Sequence, residues 1–156
     1  MEDSKITHQI AHLFKGVYYG GSWTEVNFKE VLADISWQQA SAKKYTLNTI
    51  AALVHHTDYY VHVVSRRLQG DALKANESNG FDVAPINNDT DWKNLLRRFW
   101  DNADGFMAFL EDLPDSRLWT DFSEETYGNY YRNIHGLIEH AHYHLGQIVL
   151  IKKLLV

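Results

Sequence analysis

Histidine is the residue type in this sequence with the clearest capacity for chemistry, occurring nine times in 156 residues. His140 and His144 are four residues apart in segment 129–155, which places them one turn apart if that segment is helical. Apolar residues recur there at the three- and four-residue steps of one helix face: Tyr130, Ile134, Leu137, Ala141, Ile148, Ile151 and Leu155. At about 100° per residue both imidazoles fall within that stripe, whereas His135 and His142 fall opposite it. Two core-facing imidazoles one turn apart form an arrangement with which a helix can hold a metal ion.

A purely structural interpretation stands beside this one, because a buried histidine can hydrogen-bond a carbonyl or a tyrosine without doing chemistry. Spacing alone does not separate the two interpretations. His8 and His12 are also four residues apart, but they lie opposite the core stripe predicted for their helix, which consists of Ile6, Ile10, Leu13 and Val17. That pair is therefore predicted to face solvent.

A third histidine can turn toward the core from another amphipathic helix. This helix is predicted from Leu47 to Leu68, with Thr46 as its N-cap. Its apolar stripe is Ile50, Leu53, Val54, Thr57, Val61, Val64 and Leu68. His56 flanks that stripe, whereas His55 and His62 project to the far side and are predicted to face solvent.

Facing stripes converge on the axis of a helical bundle, so His56, His140 and His144 are predicted to meet there as metal ligands. Three protein ligands leave a coordination position open, as in catalytic rather than structural zinc sites. An all-imidazole set suits Zn, Ni, Fe or Mn, with Zn or Ni as the first choices. No catalytic general base or nucleophile is identifiable beyond such a metal.

Two more long helices are needed to position these groups, one over Ser4–Tyr18 with Ser4 as a cap and one from about Thr90 to Glu111, capped by Asp89 or Thr90. The second of them has the stripe Trp92, Leu95, Phe99, Ala103, Phe106 and Leu110. Four long amphipathic helices without a convincing strand predict an all-α fold, a four-helix bundle forming a single domain over residues 1–156.

The bundle is predicted to have long connections between its first and second and between its second and third helices. Asn27 and Ser36 are expected to cap short helices in the first connection. The second runs from Gly70 to Asp89 and is polar, with the glycine, proline and asparagine residues that are typical of turns. This connection is expected to have one helical turn near Leu73. Its apolar residues are expected to fold over one end of the bundle; they are Phe81, Val83 and Ile86.

Composition and charge disfavour several kinds of partner and of chemistry for this protein. The net charge of −5 comes without a block of either sign, which disfavours nucleic acid and anionic membranes as partners. The absence of cysteine excludes disulfides, thiolate ligands and a cysteine nucleophile. The first residues lack a signal-peptide pattern and no apolar run approaches about 18 residues, so a cytoplasmic location is expected.

The stretch His56-Thr-Asp-Tyr-Tyr, followed downstream by His140-x-x-x-His144-x-Gly146-Gln147, resembles the DinB-like superfamily. That group includes the bacillithiol and mycothiol transferases, and the resemblance covers nearly the whole chain. It implies a homodimeric four-helix bundle that binds a divalent metal through His56, His140 and His144. The implied activity is metal-dependent thiol transfer or hydrolysis on a small molecule, and the expected partner is a small-molecule substrate such as a low-molecular-weight thiol. The alternative is a non-catalytic, stress-related bundle that binds a ligand or partner.

Two ambiguities remain at the level of residues. A one-residue error in helix register would exchange His55 for His56 as the ligand, and Gln147 is expected to have a structural role, packing or forming a hydrogen bond near the site. Polar neighbours within a turn of the ligands could orient them by hydrogen bonds: Asp58, Tyr60, Glu139 and Tyr143. Tryptophans in the connections could wall a pocket: Trp23, Trp37 and Trp119.

Overall fold

The chain is all-helical in a computed structural model that describes residues 5–71, 75–122 and 125–155. Seven α-helices lie in these ranges: α1 Ile6–Tyr19, α2 Phe28–Leu32, α3 Trp37–Ser41, α4 Ile50–Leu68, α5 Glu77–Gly80, α6 Asp89–Asp112 and α7 Tyr130–Leu154. Two short 3₁₀ turns, Asp115–Trp119 and Glu125–Tyr127, precede α7. Within the same ranges extended pairing is limited to one isolated bridge between Asp121 and Asn129. The predicted all-α class is therefore confirmed.

Side-chain caps set where most of the helices begin. Asn27 and Ser36 cap α2 and α3 as predicted, and Ser36 forms a reciprocal capping box with Gln39. The predicted start of α4 was three residues early, because residues 45–47 form a turn and Thr49 accepts the cap hydrogen bond from Ala52 N–H.

The cap of α6 differs by one residue from the nearer predicted one, and α7 begins with a cap of the same kind. Asn88, rather than Asp89 or Thr90, caps α6, and Asn129 caps α7. In each case the amide oxygen reaches the backbone N–H three residues ahead. The predicted cap Ser4 and the turn near Leu73 lie outside the described residues.

The four long helices enclose the hydrophobic core. α4 packs against α6 and α7, and α1 packs against the same two helices. Every residue of the stripes predicted for α4 and α6 is buried. The stripe of α7 is buried as well, apart from Leu155 after its last turn, which is partly exposed. Because α4 and α7 are direct neighbours, the core-facing histidines of both helices are brought to one place.

The face of α1 is rotated from the predicted one. Ile6 and Leu13 are exposed, at 41% and 53%, whereas Phe14 and Tyr18 are completely buried. Phe14 stacks on Tyr18 with ring centroids 4.5 Å apart, and Tyr18 in turn stacks on Phe99 of α6 at 5.1 Å. The aromatic rings bury more area than the aliphatic side chains, so they decide which face turns inward. His8 and His12 remain exposed as predicted.

Asp58 is a buried carboxylate that links α4 to α6 rather than orienting the predicted metal ligands. It is 3% exposed, and its two oxygens accept hydrogen bonds from Arg98 Nε at 2.8 Å and Asn102 Nδ2 at 2.7 Å. Arg98 also reaches His55 Nδ1, at 2.9 Å. His55 is therefore half-buried and hydrogen-bonded, not solvent-facing as predicted, whereas His62 is exposed.

Replacing Asp58 with alanine should lower the free energy of unfolding by about 2 to 3 kcal/mol, because it leaves Arg98 and Asn102 without their shared acceptor. Urea unfolding measures the change. Asp89→Ala is the matched control, since that carboxylate is exposed and pairs with the exposed Lys93 in the next turn, so its loss should cost less than about 1 kcal/mol. Equal losses in the two variants would contradict the assigned role of Asp58.

Of the helices in the described residues, none combines the length and the apolarity needed to cross a membrane.

Candidate metal centre

Three histidines from two neighbouring helices meet in the core. His56 comes from α4, and His140 and His144 come from adjacent turns of α7. One ring nitrogen of each lies within 4.8 Å of the other two. The separation of the ring centroids is 4.9 Å between His56 and His140, 4.8 Å between His56 and His144, and 4.4 Å between the α7 pair. These are the three residues that the helix faces predicted, and His56 rather than His55 is the member from α4.

The C-terminal end of the short helix α5 orients His56. Its Nδ1 is 3.1 Å from the carbonyl oxygen of Gly80, which can only accept, so Nδ1 carries the proton. The proton on Nδ1 leaves Nε2 as the nitrogen with a free lone pair. Phe81 stacks on the same ring with centroids 3.8 Å apart and an interplanar angle of 13°. The chain thus determines both the tautomer and the plane of His56 from a segment 24 residues downstream.

The contact with Phe81 refines the sequence prediction for this connection. Phe81, Val83 and Ile86 were expected to fold over one end of the helices, and the last two do pack against the core. Phe81 instead covers a candidate ligand while remaining 38% exposed. No periodic signal marks this role, because it depends on how the loop closes onto α4.

Gln147 orients His144. Its side-chain oxygen is 2.7 Å from His144 Nδ1, which assigns the proton to that nitrogen and directs the lone pair of Nε2 the other way. His144 Nε2 lies 3.0 Å from His140 Nε2. Of the expected packing and hydrogen-bonding roles of Gln147, the structure shows the hydrogen bond, and its partner is a candidate ligand. His140 Nδ1 is buried without a hydrogen-bond partner in the described part of the chain.

The donor set fits a divalent ion. Tetrahedral coordination with metal–nitrogen bonds of about 2.1 Å places the ligand nitrogens about 3.4 Å apart. The two Nε2 atoms on α7 are already 3.0 Å apart, close to that separation. The cluster as a whole spans at most 4.8 Å, so side-chain rotation alone could bring the third nitrogen into place. Nδ1 of His56 and Nδ1 of His144 each donate a hydrogen bond to an oxygen atom. The lone pair needed for coordination is therefore available on Nε2 of each ring.

The electrostatics keep these imidazoles neutral, the form that binds metals. Burial, followed by the neighbouring His144 and then His56, lowers the pKa of His140 to about 3. Burial and the same neighbour His144 lower the pKa of His56 to about 4, although the Gly80 carbonyl acts in the opposite direction. Burial also lowers the pKa of His144, opposed by Gln147. At neutral pH no proton must therefore be displaced from these rings before an ion binds.

The other residues predicted near the site differ in their placement. Tyr60 packs edge-on against both His56 and His140, at 5.0 and 4.9 Å between centroids. Tyr143 packs against His144 but is 65% exposed. Glu139 points outward, with a carboxylate oxygen 3.6 Å from His135 Nδ1.

The predicted tryptophan walls do not form at this site. Trp23 is fully exposed, and Trp119 is 57% exposed and stacks on Tyr131. Trp37 is half-buried against the core. The aromatic rings that contact the candidate ligands are instead those of Tyr60, Phe81 and Tyr143.

Adding a methyl group at Gly80 should weaken metal binding by roughly tenfold, because the new Cβ would lie 3.0 Å from His56 Nδ1 and displace that ring. Competition with a chromophoric chelator measures the affinity. Gly105→Ala on α6 is the matched control, since a Cβ there meets nothing within 4 Å. The same affinity in both variants would show that the Gly80 contact does not position His56.

Comparison with known proteins produced no match to a protein-family model, to a curated protein or to a solved structure. The DinB-like resemblance therefore stays a prediction from the motif residues.

Proposed function

We propose that this protein binds about one divalent metal ion per chain through His56, His140 and His144, and that it is a metal-dependent enzyme of the DinB-like type acting on a small molecule. The observation that carries the proposal is the convergence of three imidazoles. Two of them are oriented by hydrogen bonds from Nδ1, that of His56 to the Gly80 carbonyl and that of His144 to the Gln147 side chain. Each of those two hydrogen bonds assigns the proton to Nδ1, so Nε2 of His56 and Nε2 of His144 each carry a free lone pair within the cluster. A cation shared by the three neutral rings would account for this arrangement.

The number of ligands supports catalysis over a structural role, because three protein ligands leave room for a further group. When bound, the ion would supply Lewis acidity for thiol transfer or for hydrolysis. The chain's own contribution is to hold the neutral rings in place and to exclude water with the aromatic side chains of Tyr60 and Phe81.

Two further parts of the proposal concern architecture. We infer that the four long helices form a four-helix bundle, because α1 and α4 each pack against both α6 and α7. The resemblance also supports a homodimer, for which light scattering should give about twice the 18.1 kDa of one chain. A mass of one chain at micromolar concentration would contradict the dimer.

The enzymatic proposal is tested with metal-loaded protein in two assays: addition of small thiols to an activated electrophile, and hydrolysis of activated esters and amides. Turnover should disappear on chelation and in His140→Ala, and should persist in His142→Ala. Turnover that survives complete removal of the metal would contradict the proposal.

A second candidate function is a non-catalytic, ligand-binding bundle. The observation that favours it is the aromatic rather than acidic surroundings of the histidines, since Glu139 and Asp58 both point to other partners. This candidate predicts that metal and ligand raise the melting temperature by mass action without any turnover. The two assays above therefore also distinguish it from the enzyme.

A further inference from the structure

A cavity of about 400 Å³ opens beside the histidine cluster, and His140 forms part of its wall. It lies between α4, which contributes Tyr60 and Val64, and the N-terminal half of α7. Its volume is within the range of sites that bind small molecules. A molecule that occupies the His140 end of this cavity would lie beside a candidate metal ligand.

One part of the wall is apolar. Val64 and Leu137 are 7% and 4% exposed, and the rings of Tyr60 and Tyr127 extend this surface. Gly136 also lines the cavity, and a Cβ added at this residue would meet nothing within 4 Å. The space in front of Gly136 is therefore open, and a short aliphatic or aromatic group could occupy it.

Arg132 provides the cation of the cavity. In the described part of the chain its guanidinium has no hydrogen bond or ion pair, although the backbone of Arg132 is fixed by the Asn129 cap. Its side chain folds over Gly128, where a Cβ would come within 3.1 Å of Arg132 Cδ. The absence of a side chain at Gly128 thus leaves room for this position of Arg132.

The remaining polar groups of the wall do not neutralise Arg132. Glu139 is the carboxylate among the described lining residues, and the ion-pair distance found for it is 3.6 Å to His135 Nδ1, not to Arg132. Asn133 donates its amide hydrogens to the backbone oxygens of Tyr127 and Asn129. Hence the guanidinium keeps free donors, whose planar arrangement matches the two oxygens of a carboxylate.

We propose that this cavity binds a small carboxylic acid in its ionised form, with the carboxylate on Arg132, a short apolar portion against Val64 and Leu137, and the opposite end beside His140. The inference deepens the proposed function, on which it rests, by assigning a chemical class to the substrate. Neutral amides of the same shape should bind poorly, because they offer the guanidinium no charge.

The test uses two pairs of probes, butyrate with butyramide and phenylacetate with phenylacetamide. They are titrated into the 156-residue chain in metal-free and metal-loaded forms, and binding is followed by calorimetry and NMR. Inorganic phosphate is titrated as a third arm. Both carboxylates should bind at least tenfold more tightly than their amides, as expected for a charge-assisted, two-point contact.

Variants locate the binding. Arg132→Gln should weaken carboxylate affinity at least tenfold, whereas Lys153→Gln, which removes the same charge from the exposed far end of α7, should leave it unchanged. Gly136→Leu should block binding by filling the cavity, and Gly105→Leu on α6, also free of neighbours within 4 Å, is its control. Metal content should stay the same in all four variants.

Each other outcome overturns the inference. Equal binding of acids and amides, unchanged affinity in Arg132→Gln, or binding of phosphate without either carboxylate would each exclude the carboxylate assignment. Failure of both acids to bind a protein that does take up metal would overturn this inference alone. Failure of the wild-type protein to take up metal would instead overturn the proposed function, whatever the acids do.

Discussion

Replacing His140 or His144 with alanine should abolish binding of the divalent ion, reducing the metal content from about one per chain to background. Each substitution removes one of three ligands, and the two remaining imidazoles cannot replace it because neighbouring polar side chains point elsewhere. Elemental analysis of protein purified without an affinity tag gives the metal content directly. The wild-type spectrum with Co²⁺ provides an independent measure of coordination.

His142→Ala is the matched control, since His142 lies on the same helix but is not part of the cluster. Its metal content should equal that of the wild type. On α4, His56→Ala should lower the affinity by roughly tenfold or more, whereas His55→Ala should change it little, because His55 bonds to Arg98 and to the Asn79 carbonyl. Equal metal content in His140→Ala, His144→Ala and His142→Ala would refute the assigned site.

The metal-free protein should lose stability as the pH falls below about 6.5, the ordinary pKa of histidine in an unfolded chain. In the folded state the pKa is about 4 for His56 and about 3 for His140, and it is also lowered for His142 and His144. Below pH 6.5 the unfolded chain therefore takes up protons that the folded protein does not. Stability should be independent of these groups above that pH and should decline steadily toward pH 4.

Urea unfolding of the metal-free protein at about pH 7.5, 6.5 and 5.5 measures this dependence across the ordinary pKa of histidine. His140→Leu should show a shallower decline, because one of the groups that titrate only in the unfolded chain is gone. His12→Leu, on the exposed side of α1, is the control and should keep the wild-type slope. The same stability at the highest and lowest pH would contradict the neutral, buried state of these rings.

The lowered pKa values also change the expected retention of metal. From the sequence alone, imidazoles with a pKa of about 6.5 predict release below about pH 6. In the folded site, protons begin to compete for His56 only near its pKa of about 4. Bound metal should therefore persist below pH 6 for as long as the protein remains folded, which dialysis followed by elemental analysis can establish.

The sequence by itself determined the helical class, the buried faces of α4, α6 and α7, and the position of His140 and His144 on the buried face of α7. These features follow from a local rule, since the angular position of a side chain on a helix depends only on its distance along the chain. His140 and His144 lie within the apolar stripe of α7, and His56 flanks that of α4. The caps at Asn27 and Ser36 were predictable for the same reason, because a cap contacts backbone only two or three residues away.

Only the tertiary structure decided the contacts between residues distant in sequence. The rotation of α1 depends on aromatic rings from α6, the role of Asp58 depends on Arg98 and Asn102, and the tautomer of His56 depends on the Gly80 carbonyl. In each case several partners are compatible with the local pattern. The choice among them is made when loops close and side chains pack to high density, which depends on the whole chain at once.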